Sequence, residues 1–149
     1  MKKVFIPLLV TLFAVSCQTT KQSVVHQIIY TEQAPKPIGP YSQAVKVGNT
    51  LYVAGQIAID PQTNAMVTES FEKEAEQVMT NLVAVLKAAG MTPKNIVKTS
   101  IFLKDMNDFQ TVNTIYGKYF EKDFPARETI QVAALPKGAR VEISVIAVD

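Results

Sequence analysis

The sequence contains few of the residues on which many catalytic sites depend. Its 149 residues include one cysteine, one histidine and no tryptophan. A single cysteine excludes an intrachain disulfide, and a single histidine beside it excludes a zinc site of four cysteine or histidine ligands from one chain. A serine triad would need the lone histidine as its base. If the protein is an enzyme, we expect its general acids, its general bases and the groups that bind its substrate to be Asp, Glu, Lys, Arg, Tyr or backbone groups.

The first residues have the pattern of an export signal. Two lysines follow the initiator methionine, residues 4–15 are apolar, and Cys17 comes shortly after them. The apolar run is too short for a permanent membrane-spanning helix, which needs about 20 residues, but it fits a signal peptide. Cys17 resembles the lipobox cysteine of bacterial lipoproteins, although Ala14 stands where leucine is usual. We predict a signal peptide over 1–16 and a lipid anchor at Cys17, with a plain signal peptide or an uncleaved start as the alternative.

The chain has no excess of positive charge once the predicted signal peptide is set aside. The chain has 15 Lys and Arg against 13 Asp and Glu, and two of the lysines belong to the predicted signal. The mature chain is therefore formally neutral, with two arginines, Arg127 and Arg140. Nucleic-acid-binding domains usually carry a basic surface. We predict no nucleic-acid partner, export to the cell envelope or periplasm, and membrane contact only through the lipid at Cys17.

The remaining sequence is typical of one globular domain. The chain is 48% apolar and 19% charged, which are ordinary values for such a domain. It is long enough to bury one core but too short for two full domains. We predict a polar tether over 17–26 and a single domain over 27–149.

Hydrophobic periodicity predicts the element order β-β-β-α-β-α-β-β. The first helix is the clearest, with apolar residues every three or four positions, Ser70 as N-cap and Gly90 as its stop. Asp105 is expected to cap the second helix, which Pro125 ends. The predicted strands are 27–31, 45–47, 51–53, 96–103, 130–134 and 141–148.

Two charged residues stand out in this pattern. Arg127 follows Phe-Pro-Ala and precedes an apolar strand, and its planar guanidinium suits a carboxylate. Glu142 interrupts an apolar strand, where alternation places it on the same face as Arg140, and near an apolar pocket it would act as a general base towards water. A surface arginine in a loop and a solvent-facing glutamate are the alternatives.

Three further residues are weaker candidates for a binding site. Tyr41 lies in a rigid Gly-Pro-Tyr-Ser turn, Asn113 lies near the apolar face of the second helix, and Gly55 follows a strand. A glycine at that point permits close approach of the backbone to a ligand. Simple packing for Tyr41 and a helix-edge position for Asn113 are the alternatives.

Several spaced motifs resemble one family. They are residues 38–44 (IGPYSQA), 55–57 (GQI), the run 96–113, 124–127 (FPAR), 135–138 (LPKG) and 141–143 (VEI). In this order, over roughly residues 28–148, they are similar to the RidA (YjgF) family. The resemblance implies an α+β, chorismate-mutase-like fold with two helices on one face of the sheet, assembled as a homotrimer with clefts between subunits.

The resemblance also implies a reaction. Family members hydrolyse enamine and imine intermediates such as 2-aminoacrylate to 2-oxo acids and ammonia, without a metal or cofactor. By position, Arg127 corresponds to the arginine that binds the substrate carboxylate and Glu142 to the glutamate that positions the attacking water. Tyr41, Gly55 and Asn113 correspond to cleft residues.

Two positions depart from the common family pattern. Ala54 replaces a frequent serine, which removes a hydroxyl from the cleft wall, and Thr129 replaces a frequent cysteine two residues after Arg127. Thr129 still offers its backbone to a substrate. We expect both changes to affect substrate preference or turnover and to leave the anchor and the carboxylate in place.

Two other functions fit parts of the pattern. A non-catalytic trimer would use the same cleft to bind a small carboxylate in the cell envelope, and the predicted export favours it because enzymes that make 2-aminoacrylate are largely cytosolic. RNA cleavage is attached to some family members by name, and the neutral charge argues against it here. A pure binder needs Arg127 but not Glu142. The presence of both residues favours a deaminase whose ligands are small 2-imino and 2-oxo acids.

Overall fold

Six strands in one mixed sheet and two α-helices make up the part of the chain that the structure, a computed structural model, describes, residues 25–149. The predicted signal peptide and Cys17 lie outside the described residues. The elements are β1 (His26–Ile29), β2 (Ala44–Val47), β3 (Thr50–Gln56), α1 (Phe71–Ala88), β4 (Ile96–Leu103), α2 (Phe109–Gly117), β5 (Ala126–Gln131) and β6 (Val141–Val148). The sheet order is β1-β2-β3-β6-β4-β5, with β4 and β5 parallel and the other neighbours antiparallel. The predicted α+β class and element order are confirmed, although β1 begins at His26, within the predicted tether.

Helix α1 forms where the periodicity predicts it. The Ser70 hydroxyl accepts a hydrogen bond from the backbone N–H of Lys73, at 3.2 Å, and so caps the first turn of the helix. Gly90, at φ 77°, ends the helix in the left-handed conformation that glycine adopts without steric cost. Buried Asn81 donates to the carbonyls of Ile57 and Ile59, at 3.0 and 2.9 Å, and anchors the chain after β3. Neither helix in the described chain has the length and apolar content needed to cross a bilayer.

The second helix and the fifth strand differ from the prediction. Asp105 caps a short 3-10 turn over Met106–Asp108 instead of α2 itself, and α2 ends well before Pro125. Strand β5 covers Ala126–Gln131 instead of 130–134. Main-chain pairing with β4 along the full length of β5 decides these bounds, whereas apolar composition alone favoured the residues that follow.

The sheet has one covered face and one open face. Buried residues of β3, β4 and β6 join both helices in one core, so the prediction of two helices on one face is confirmed. Along β6, Val141 and Ile143 are buried towards the helices and Glu142 faces the other way. Arg140, predicted to share the face of Glu142, turns instead towards α1, where its Nε donates to Glu74 at 2.6 Å. It precedes the first residue of β6, so the strand does not fix its direction.

Candidate active site

One buried glutamine organises the loop that carries Tyr41. Gln43 is 2% exposed. Its side-chain amide donates to the carbonyls of Thr31, Ala34 and Pro35, at 3.0, 3.3 and 2.8 Å, and accepts from the backbone N–H of Thr31 at 2.7 Å. The Tyr41 hydroxyl accepts a hydrogen bond from the backbone N–H of Ile38, at 3.2 Å. The sequence alone predicted no role for Gln43, and its place directly before strand β2 was the available signal.

Glu142 lies in the wall of a cavity on the open face of the sheet. The cavity holds about 220 Å³ and is lined by Ile38, Tyr41, Ala54, Gly55, Ile57, Pro136 and Glu142. Burial raises the pKa of the Glu142 carboxyl above its ordinary value of 4.5, and neither a hydrogen bond nor a nearby cation in the described chain offsets it. A carboxylate in this state suits a general base, because its pKa moves towards neutral pH while its oxygens remain free to bind water.

A bulge in β3 brings Gly55 against this carboxylate. Two residues of β3, Ala54 and Gly55, stand opposite Ser144 alone, so the strand carries one extra residue at this point. A Cβ added to Gly55 would lie 1.9 Å from Oε1 of Glu142 and 2.7 Å from its Cδ. The sequence predicted close approach of a ligand to this glycine. The structure places the Glu142 side chain there.

Arg127 lies on the helix side of the sheet and inside β5, whereas the sequence placed it before a strand predicted at 130–134. Its guanidinium carbon is 5.1 Å from the centroid of the Tyr116 ring and 6.0 Å from that of Phe109, within the range of cation–π attraction. The Tyr116 hydroxyl is hydrogen bonded to Thr99 at 2.9 Å, and Thr99 is the register partner of Arg127. The apolar stripe of α2 was the sequence signal for this aromatic support, which the prediction did not connect to Arg127.

Two side-chain oxygen atoms on the Arg127 side of the sheet are buried without partners. The cavity beside Arg127 holds about 430 Å³ and is lined by Asn113, Tyr116, Gly117, Phe124, Pro125 and Arg127. Within residues 25–149, Oδ1 of Asn113 and Oγ1 of Thr129 have no hydrogen-bond partner. Buried polar atoms without partners are rare in folded proteins. Their presence here points to a ligand or a second chain as the partner.

The structure therefore divides the predicted site into two halves. Tyr41, Gly55 and Glu142 meet on the open side, whereas Arg127 and Asn113 meet on the helix side. Alternation along β5 places Thr129 on the same face as Arg127. Glu128, between them, faces the open side and accepts hydrogen bonds from Lys98 and Ser100 of β4. One chain does not bring the predicted anchor and the predicted base together. In the described residues no three His, Cys, Asp or Glu side chains cluster as metal ligands do.

Several known proteins are similar in sequence to this chain over most of its length. The family model described as endoribonuclease L-PSP matches residues 31–149. A human protein named 2-iminobutanoate/2-iminopropanoate deaminase is 50% identical over 127 residues, covering 85% of this chain and 93% of that protein. A RutC family protein of Sulfurisphaera tokodaii is 50% identical over 120 residues, covering 80% of this chain and 96% of its own length.

Solved structures share the fold. RidA from an Antarctic Psychrobacter matches with a TM-score of 0.80 at 45% identity, covering 83% of this chain and 99% of that one. Escherichia coli TdcF, solved with bound serine, matches with a TM-score of 0.79 at 38% identity, covering 83% of this chain and 98% of that one. On the family match, the sequence identity and the shared fold, the chain belongs to the RidA (YjgF) family.

Proposed function

We propose that the protein hydrolyses 2-imino acids, and enamine tautomers such as 2-aminoacrylate, to 2-oxo acids and ammonia. Relatives of about 50% identity are named 2-iminobutanoate/2-iminopropanoate deaminases, and the chain is an enzyme of that class. We propose the same two short imino acids as substrates. The observation that carries the mechanism is the Glu142 carboxylate, half-buried in a cavity wall, with a raised pKa and no hydrogen bond in the described chain.

The proposed mechanism uses one anchor and one base. Arg127 binds the substrate carboxylate through two parallel hydrogen bonds, and the rings of Tyr116 and Phe109 keep its guanidinium in place. Glu142 takes a proton from water while the water oxygen bonds to the electrophilic imine carbon. That proton passes to the nitrogen and gives a carbinolamine. Glu142 then moves the proton of the new hydroxyl group to the nitrogen, the carbonyl double bond forms as the carbon–nitrogen bond breaks, and ammonia and the 2-oxo acid leave. No metal or cofactor enters these steps, because the imine carbon is already electrophilic.

We propose that the active form is a homotrimer in which Arg127 of one copy faces Glu142 of another. Their positions on opposite faces of one sheet support this assembly, because a single copy keeps the anchor and the base apart. The buried, unpartnered oxygens of Asn113 and Thr129 on the Arg127 side support it as well. In this arrangement Tyr41 and Gly55 complete the wall around the reacting carbon.

We also propose that the enzyme is exported and held at a membrane by lipid at Cys17. The basic start, the short apolar run and the position of the cysteine support this proposal. Palmitate labelling and membrane partition of the full chain would test it, and a Cys17→Ala protein that still partitions with membranes would contradict it. Because the mature chain is formally neutral, we propose that the protein does not bind nucleic acid.

The proposed reaction is tested with a coupled assay and an Arg127 variant. A threonine or serine dehydratase generates the imine, and semicarbazide traps whatever is not hydrolysed. We expect Arg127→Ala to lower kcat/KM by at least about 30-fold, because losing one partner of a charge-assisted pair costs about 2–5 kcal/mol. Arg127→Lys is expected to lose most activity, since lysine lacks the two parallel donors.

The control removes a positive charge far from both cavities. Lys87→Ala changes an exposed residue in the last turn of α1, and we expect unchanged turnover. Near-normal activity of Arg127→Lys would contradict the anchoring role. A folded trimer that binds 2-oxo acids but does not accelerate imine loss would refute the deaminase and establish a binding module in its place.

A further inference from the structure

Packing alone holds the Glu142 carboxylate in place. No residue of the described chain donates a hydrogen bond to it, and burial is the sole cause of its raised pKa. Instead, the end of the side chain rests on the backbone of β3. A Cβ on Gly55 would lie 1.9 Å from Oε1, 2.7 Å from Cδ and 3.0 Å from Cγ of Glu142. Every residue larger than glycine at this position would overlap with the carboxylate.

Gly55 differs in this respect from the turn glycines of the same chain. Gly48 and Gly90 have positive φ angles, 59° and 77°, with open space around them, so backbone conformation explains why glycine occurs there. Gly55 has no positive φ. Positive φ therefore does not explain this glycine, and the three heavy atoms nearest to an added Cβ all belong to the Glu142 side chain.

We propose that Gly55 is a positioning residue for Glu142, whose missing side chain creates the space in which the carboxylate lies. This inference rests on the proposed function, in which Glu142 activates water. The overlapping atoms are the end of a flexible side chain, so a methyl group on Gly55 displaces Glu142 instead of breaking the sheet. The displaced carboxylate leaves the cavity wall and becomes hydrated.

Few other charged groups lie close enough to Glu142 to hide the effect of its displacement on its pKa. Among residues 25–149, Tyr41 is the one other titratable group that lines the cavity, whereas β3 contributes Ala54 and the turn before β6 contributes Pro136. Strand β4 places Phe102 opposite Glu142 in the register. A change in the burial of Glu142 is therefore expected to change its pKa directly, and hydration should lower that pKa towards 4.5.

The experiment compares Gly55→Ala with Gly39→Ala. A Cβ on Gly39 would lie 3.6 Å from the Tyr41 ring, an ordinary contact. The Glu142 pKa is measured in the ligand-free protein by carbon-detected NMR of the side-chain carboxyl. We expect it to fall towards 4.5 in Gly55→Ala and to stay unchanged in Gly39→Ala. In the coupled assay, kcat of Gly55→Ala should fall about 100-fold, as misplaced catalytic groups do, with a smaller change in KM.

An unchanged Glu142 pKa in Gly55→Ala would overturn the positioning role. The double variant Gly55→Ala/Glu142→Ala gives a second test, since the overlapping atoms are gone. We expect it to melt at the same temperature as Glu142→Ala, and a lower melting temperature would show that Gly55 serves the fold independently of Glu142. The NMR arm needs no turnover. A pKa shift in a protein that hydrolyses no imine would therefore refute the proposed function and still support the positioning of Glu142 by Gly55.

Discussion

Several side chains of the predicted site carry polar atoms that have no hydrogen-bond partner in the described chain. Glu142 is half-buried without a hydrogen bond, and Oδ1 of Asn113 and Oγ1 of Thr129 are buried without partners, as is Nη2 of Arg140 outside the site. Each of these positions costs folding free energy, because burial removes water and nothing in the same chain replaces it. At Glu142, Asn113 and Thr129, this cost supports the proposal that a ligand or a second copy supplies the contacts.

The raised pKa of Glu142 predicts a pH-dependent stability difference from Glu142→Gln. The folded state holds the Glu142 proton more tightly than the unfolded chain does, so this stabilisation is complete below pH 4.5 and is lost as pH rises through the folded pKa. Glutamine stays neutral at every pH. We therefore expect Glu142→Gln to gain stability relative to the native protein between pH 4 and pH 7, while it loses imine hydrolysis.

Urea denaturation of both proteins at the two pH values measures the difference in the free energy of unfolding. Glu32→Gln, an exposed carboxylate in the loop after β1, serves as the matched control and should show the smaller change with pH. A difference between Glu142→Gln and the native protein that is equal at pH 4 and pH 7 would show that burial does not raise the pKa of this carboxyl.

Two glutamates of helix α1 form ion pairs with other elements, and their side chains differ widely in burial. The Glu74 side chain is 1% exposed and accepts from both the backbone N–H and Nε of Arg140, at 2.7 and 2.6 Å. The Glu76 side chain is 51% exposed and pairs with Lys118 at 3.1 Å. The first pair fixes the residue that precedes β6, and thereby the start of the strand that carries Glu142.

These two glutamates predict unequal losses of stability on replacement by alanine. Glu74→Ala should cost about 3 kcal/mol, because it leaves the half-buried guanidinium and a backbone N–H without their acceptor. Glu76→Ala should cost less than about 1 kcal/mol, as exposed ion pairs do. Urea titration of both variants measures the free energies of unfolding. Equal losses would show that the Glu74–Arg140 contact adds nothing beyond a surface pair.

At the scale of the whole molecule, the separation of the two half-sites predicts complementation between inactive variants. Arg127→Ala and Glu142→Ala each lack one half. If a site combines Arg127 of one copy with Glu142 of another, co-expression of the two variants restores intact sites. Random mixing of two kinds of subunit in a closed trimer leaves about one quarter of the sites intact.

The activity of the purified mixed trimers, relative to the native protein, measures this fraction, and light scattering establishes the subunit number. Arg127→Ala mixed with the double variant Arg127→Ala/Glu142→Ala serves as the control, because no combination of these copies contains Arg127. No recovered activity in the first mixture would place both residues in one copy, and a monomer by light scattering would remove the intersubunit site.

Local chemistry in the sequence determined much of the fold. Helix α1 and strands β4 and β6 follow the predicted ranges closely, since a capping serine, a stopping glycine and strict alternation act over a few residues. The sequence named Arg127, Glu142, Tyr41, Asn113 and Gly55 as site residues, and the structure places these five in the walls of two cavities, although their roles stay predictions. Thr129, a departure from the family pattern, lies on the same face of β5 as Arg127.

Contacts distant along the chain decided the rest. Strand β5 takes its bounds from pairing with β4, Arg140 takes its direction from Glu74, and a bulge turns Gly55 towards Glu142. Local sequence does not encode these outcomes, because hydrogen-bond register and close packing depend on which segments meet. The tertiary structure alone showed that Arg127 and Glu142 lie on opposite faces of one sheet, and that arrangement makes a second copy of the chain part of the proposed site.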